Sequence, residues 1–507
     1  MVKPVRIMPG LGTYKPGDPG PLFQITNSAA KGIPTQQHSR VSGEAMQVAG
    51  LVEIVHAIVF RAESASRCGS GKTTPLFRSG FSFGADAEDL GSAHCMKPLP
   101  IEIPALQNWS CHGCSDCCRG QLLITITPEE KQRIEKQKWT SADGVEPAAL
   151  IVADGNAFRL GHQSDGACVF LDPAGRCRIH AKFGEEAKPL ACRLYPLVIH
   201  PAGKKVVVGL RFSCPSAVEN RGRPLPAQSP EIQKLARLVV PGDYQAGSPP
   251  PILAAPDGEW PNFLRFVKWL DTSLAATDVP VALKLLRTLH WLGAIEQGRL
   301  DRITGTGADE ILEALVQSAA KKISSLQEPP ARPSRFGRLF LRLMVFEHAR
   351  TTRVPDTGAS AGRWQRLRAV LRFVRAGGRT PALQSGLASV KFSDLEKPFS
   401  PLSPPMEALL TRYFRVKIQS LHFCGRAFHD RPLIEGFRSL ALLYPVILWL
   451  SRWLAVSDGR TEITAADVAR AVSMVDYHHG YSPHLEWRVR LLHQRNDIAK
   501  LIGWHVR

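Results

Sequence analysis

The chain has 507 residues, 44% of them hydrophobic and 21% charged, which excludes a protein too small or too polar to bury a core and leaves room for more than one domain. Its formal net charge of +19 and pI near 9.7 point either to an acidic partner (nucleic acid, anionic lipid or an acidic protein surface) or to a plainly solvated basic exterior. No recognised nucleic-acid-binding motif accompanies the charge, which argues against nucleic acid.

Residues 1–95 are rich in Gly, Ser and Ala and show no sustained periodicity, so a disordered extension or a stretch upstream of the functional start near Met96 is expected there. Met1-Val2-Lys3-Pro4 has no apolar run behind it, and no export signal is read. Gly69-Ser70-Gly71-Lys72-Thr73-Thr74 imitates a phosphate loop, but the first glycine such a loop needs is replaced by Ser66 and Pro75 follows too early, so nucleotide binding is not expected.

Residues 96–225 read as a small α+β cysteine domain. Gln121 to Thr125 alternates as a strand. Thr127-Pro128-Glu129-Glu130 is a helix start, with Thr127 as N-cap and Glu130 closing a capping box, and the helix is expected to run on to Trp139. Cys168 to His180 is expected to form a hairpin turning at Asp172-Pro173-Ala174-Gly175, and Leu197 to Phe212 another around Pro201-Ala202-Gly203. A Pro-rich linker at 226–258 precedes a helical domain at 259–507. The spacing predicts helices from Trp260 through Leu270, Val281–Leu292 stopped by Gly293, Asp309–Ile323, Arg335–Arg350, Arg363–Arg375, Met406–Phe428, Leu433–Val456 and Thr464–Tyr477. Ser439–Leu450 is strongly apolar but shorter than the roughly 20 residues a bilayer span requires. It contains Pro445 and is flanked by Arg438 and Arg452, so a buried helix and no membrane span is expected. In Arg363–Arg375, Trp364, Leu367, Val370, Leu371 and Val374 line one face, which reads as core-facing, while the arginines take the outer face, either solvated or docked to an acidic protein.

The chemistry lies in the cysteines. Cys111-His112-Gly113-Cys114-Ser115-Asp116-Cys117-Cys118 puts four thiols in eight residues, and Cys168, Cys177, Cys192 and Cys214 follow. Without export, the expected compartment is the reducing cytoplasm, where such crowding favours metal binding over disulfides. Thiolates suit soft or borderline metals. Zinc takes four ligands as a closed tetrahedron, and iron–sulfur clusters also take four cysteines. The C-x2-C-x2-C spacing of Cys111, Cys114 and Cys117, with Cys214-Pro215, is similar to ferredoxin sites, so iron–sulfur is read ahead of zinc, and a nonmetal structural role stays open. All eight thiols are candidate metal ligands, as one site with spares or as two sites of four. Cys424, on an apolar helix, reads as a small buried hydrophobe, and His112 as a turn residue.

Cys111–Cys118, Cys168-Val169-Phe170-Leu171, Gly175-Arg176-Cys177-Arg178-Ile179-His180 and Pro189-Leu190-Ala191-Cys192-Arg193-Leu194-Tyr195-Pro196 resemble the CxxCxxCC family, also called YkgJ-type, described as zinc- or iron-chelating proteins. A longer resemblance, through Gly184-Glu185-Glu186, Cys192 to Pro196, Ser213-Cys214-Pro215 and the tail near Asp476-Tyr477-His478-His479, is to flagellin lysine-N-methylases. That resemblance implies methyl transfer from S-adenosylmethionine to lysine amines of a protein substrate such as flagellin. No glycine-rich S-adenosylmethionine loop is visible in the sequence, and no catalytic residue is assigned.

Overall fold

The computed structural model describes residues 99–119, 123–240, 244–253, 258–305, 307–324, 332–350, 360–384, 386–397, 401–479 and 497–504. The expectations for residues 1–95, the imitation phosphate loop and the first part of the Gln121–Thr125 strand lie outside them.

In chain order the elements are β1 (Ile101–Glu102), α1 (Asp116–Arg119), β2 (Thr125–Ile126), α2 (Pro128–Lys136), β3 (Ile151–Asp154), β4 (Ala157–Leu160), α3 (Arg178–Phe183), α4 (Leu190–Leu194), β5 (Leu197–Ala202), β6 (Lys205–Leu210) and α5 (Pro215–Val218). Helices α6 (Ser229–Val239), α7 (Trp260–Ala275), α8 (Val281–Gly298), α9 (Gly307–Lys322), α10 (Arg335–Ala349), α11 (Ser360–Arg375), α12 (Phe392–Leu395), α13 (Pro404–Gln419), α14 (Leu433–Ser457), α15 (Ala465–His478) and α16 (Ile498–Trp504) complete an α+β layout whose C-terminal region is helical.

Two three-stranded sheets carry the first half. In one, β4 pairs antiparallel with both β2 and β3. In the other, β6 lies between β5 (antiparallel) and β1 (parallel), and β5 turns into β6 through Gly203 at positive φ, as its turn residues predict. The second sheet is covered on both faces. Val206, Val208 and Leu210 pack with Ile232 and Ala236 of α6, while Val207, Ala202 and Phe212 enter the core of the helices. That two-sided burial explains the unbroken apolar run of β6. Gly209 lies so close to Ser420 that any Cβ there would collide with it. The Pro-rich stretch 226–258, expected as a linker, thus contains α6, whose Ile232 and Ala236 complete the core beneath the sheet.

Several helix ends differ from the sequence reading. The capping box forms as expected, Glu130 N–H donating to Thr127 Oγ1 (3.2 Å) and Thr127 N–H to Glu130 Oε2 (3.0 Å), but α2 stops at Lys136, and Lys138 adopts a left-handed conformation. The segment after Cys177 is helix rather than strand, so the expected hairpin reduces to the Asp172–Gly175 turn and a single bridge between Leu171 and Cys177. Helix α8 runs through Gly293 to Gly298, because Trp291, Leu292 and Ile295 continue its buried stripe. Helix α13 ends at Gln419 instead of continuing to Phe428. Leu421 takes positive φ, and the His422 N–H reaches back to the Lys417 carbonyl (2.9 Å), a Schellman-type stop without its usual glycine. Helix α14 is long and apolar enough to cross a membrane by composition, yet 89% of its apolar window is buried inside the protein. The apolar stripe of α11 is reversed relative to expectation: Trp364, Leu367, Leu371 and Val374 are exposed, and the helix docks through Ala369 and Phe373.

Candidate metal centre

The cysteines sit on short, separately braced elements. Cys111 and Cys114 occupy a loop turned by Gly113 and Ser115, both at positive φ. One turn of helix, α1, then presents Cys117 and Cys118, with Cys118 and Arg119 N–H both donating to the Ser115 carbonyl (2.8 and 2.9 Å). The Cys168 N–H donates to the Cys118 carbonyl (2.8 Å), fastening the second segment to the first. Cys177 stands at the start of α3, and its Asp172–Gly175 turn rests on the Ser115 side chain. Cys192 lies in α4, and Cys214 starts α5. Cys168, Cys177 and Cys192 pack against a small core that includes Ile126, Ile134, Trp139, Phe170 and Ile179.

The nine described cysteines, these eight and the buried Cys424, are free thiols. Cys117 and Cys118 place their sulfurs 3.9 Å apart, and that contact, followed by burial, raises the Cys117 thiol far above the ordinary range. Burial pushes Cys168 up to about 11, with Cys177 and Cys117 adding to the rise. Cys192 is raised by burial and then by Cys168, Cys177 and Cys117. Cys114 is raised by burial, Asp116, Cys117 and Cys111, and Cys214 by burial and Cys114. Cys117, Cys168, Cys177 and Cys192 form a first group, in which Cys117 and Cys177 add to the rise of Cys168 and Cys192, and Cys111, Cys114 and Cys214 adjoin it through Cys114. Lys188 faces the first group and lowers both Cys117 and Cys192. Its ammonium is held charged because the Glu185 pair (3.0 Å) outweighs the cost of burial.

A thiolate-rich donor set of this kind fits zinc or iron chemistry. A positive centre would offset the burial and the neighbouring sulfurs that raise these thiols, and its binding would release their protons. Among the described residues, no three Cys, His, Asp or Glu side chains converge closely enough to enclose an ion as they stand, so loading requires the thiols to draw in.

Further residues set the positions of the thiols. Glu130 uses its second oxygen to accept the Leu190 N–H (2.7 Å), so the capping box of α2 also fixes the start of the helix bearing Cys192. His112 pairs through Nδ1 with the Ser216 hydroxyl, which ties the Cys111–Cys114 loop to α5. Arg412 of α13 grips the far end of α5, donating to the Ala217 carbonyl (2.9 Å), the Val218 carbonyl (2.6 Å) and Gln107 Oε1 (2.7 Å); burial draws its guanidinium down to about 10. Asp476 of α15 accepts the Ser213 N–H (3.1 Å), one residue before Cys214, and pairs with the fully buried Lys417. Of these roles only the capping box has a local sequence signature. His112 and Ser216 are 104 residues apart, and Arg412 reaches its carbonyls across 194 or more.

Behind this seam lies a cluster of buried histidines. His200 of β5 faces His422, whose Nδ1 is 2.8 Å from Lys417 Nζ, and His348 of α10 faces His478. Burial, then nearby cations, hold His200 and His478 down to about 4, and burial, then Lys417 for His422 and His479 and the His478 imidazole for His348, hold these three well below the usual range.

Residues 110–215 match the family model CxxCxxCC, described as "Putative zinc- or iron-chelating domain". The cysteine region is a CxxCxxCC domain. The match covers about a fifth of the chain and includes seven thiols from Cys114 onward together with Cys111 at its edge. No curated protein and no solved structure matches the chain. The domain has the composition of a metal-binding cysteine cluster, as the spacing in the sequence predicts.

Proposed function

We propose that the CxxCxxCC domain holds an iron–sulfur cluster in a cytoplasmic protein, with its thiolate ligands drawn from Cys111, Cys114, Cys117, Cys118, Cys168, Cys177, Cys192 and Cys214. The reading rests on one observation above all: eight cysteines on separate short segments are all free, with the Cys117 and Cys118 sulfurs 3.9 Å apart and Cys117 and Cys177 near enough to raise Cys168 and Cys192. The C-x2-C-x2-C spacing favours a cluster over a single zinc ion. When bound, the cluster supplies one-electron redox capacity.

The chain's own residues do the rest. Lys188 favours the thiolate forms of Cys117 and Cys192. Glu130 and Arg412 fix the short helices that carry Cys192 and Cys214. Cysteines that serve as metal ligands suit a reducing compartment.

Anaerobic purification followed by iron, zinc and acid-labile sulfide analysis tests the proposal. Brown protein with iron and sulfide is expected, lost in Cys177→Ser and Cys192→Ser and kept in Cys424→Ser. Colourless protein with stoichiometric zinc and no sulfide replaces the cluster with zinc. Protein carrying neither, with all thiols freely reactive, overturns metal binding.

A further inference from the structure

Helix α11 presents its apolar stripe to solvent. At about 100° per residue, Trp364, Leu367, Leu371 and Val374 fall within a strip about 80° wide, diametrically opposite Ala369 and Phe373, which anchor the helix. Trp364 is 66% exposed and Leu367 46%, values unusual for large apolar side chains grouped on one face. Phe373 is fully buried against Phe346, Phe392, Trp449 and Trp453, so the helix is firmly seated and the outward stripe is a fixed feature of its orientation. Exposed Arg368, Arg372 and Arg375 border the stripe along one side. Between residues 357 and 393 the chain carries seven basic residues and no Asp or Glu.

We infer that this face docks the protein on an anionic lipid bilayer, lying in the interface plane without crossing it. An apolar strip containing Trp, bordered by arginines and free of acid, is the chemistry of an interfacial helix: the ring and aliphatic side chains enter the headgroup boundary while the guanidinium groups meet lipid phosphates and carboxylates. The face is the convex outside of a helix, which suits a flat bilayer better than a protein groove. A second copy fits poorly. Ten residues of helix span about 15 Å, giving a patch of roughly a few hundred Å2, whereas stable association takes about 800 Å2 per partner. Pairing two such faces would also set arginine against arginine. Burial of α14 inside the protein leaves peripheral attachment, not insertion, as the mode of contact.

The experiment is flotation of the full chain with phosphatidylcholine vesicles, with and without phosphatidylserine. Binding is expected only when phosphatidylserine is present. Arg368→Gln with Arg372→Gln lowers partition about 25-fold, at about fivefold per cation. Trp364→Ser with Leu371→Ser abolishes it. All four side chains already face water, so circular dichroism and thermal unfolding should match the parent. Lys234→Gln with Arg237→Gln, removing two exposed charges from α6, leaves partition nearly unchanged. Absence of binding by the parent overturns the inference, as does binding equal on neutral vesicles or an equal loss in the α6 variant. Self-association in sedimentation velocity that Trp364→Ser disperses, without vesicle binding, assigns the stripe to a second copy. Capture of polyglutamate without vesicle binding assigns it to an acidic protein.

Discussion

The buried histidine cluster makes fold stability steeply dependent on pH. His200 and His478 are held down to about 4, principally by burial and then by Lys417 for His200 and by Arg350 and Arg211 for His478. Asp476, buried in this seam, pairs with Lys417. An unfolded histidine titrates near 6.5. Above that value both states are neutral and the histidines have no pH effect. As pH falls from about 6.5 toward 4, the unfolded chain takes up protons that the folded chain refuses, so stability falls; below about 4 the folded state is protonated too and the loss levels off. At about pH 5 the difference amounts to about 2 kcal/mol for each of His200 and His478, or about 4 kcal/mol together, a large part of the 5–15 kcal/mol typical of a domain. His348, His422 and His479 are shifted the same way and add to the slope. Urea unfolding followed by circular dichroism in steps from about pH 7 to 5 measures this. The parent should lose stability throughout that range, and His200→Phe and His478→Asn should each flatten the slope by about one proton, whatever they do to stability at neutral pH. A flat profile between about pH 6.5 and 5, or variants with the parent's slope, would refute the reasoning.

Two further substitutions probe the frame around the cysteines. Glu130→Ala removes acceptors for the Thr127 and Leu190 N–H groups together, and should cost about 2 kcal/mol in urea unfolding with partial recovery in Glu130→Gln; an unchanged midpoint would show that neither bond matters. Gly209→Ala places a methyl group against Ser420 between β6 and α13, and should cost about 1–3 kcal/mol through overpacking, with a neutral result showing that sheet and helix separate freely.

The sequence by itself determined what is local. Eight closely spaced thiols announce a metal-binding domain, Thr127 and Glu130 announce a helix start, and the pattern of apolar residues locates most of the C-terminal helices, because a cap, a turn or a helical period involves residues a few positions apart. Helix ends were less legible. Gly293 stops nothing because its neighbours stay buried, and Leu421 ends α13 where no glycine signals it. Tertiary structure alone decided which thiols become neighbours, since Cys117 and Cys177 come near enough to raise Cys168 and Cys192 only after two sheets and three short helices are packed. It alone brought Arg412 and Asp476 beside the Cys214 turn, and it alone turned the stripe of α11 outward. An amphipathic pattern fixes that a helix has an apolar face; which face meets the core depends on what the rest of the chain offers it, and here Phe373 found the larger aromatic pocket.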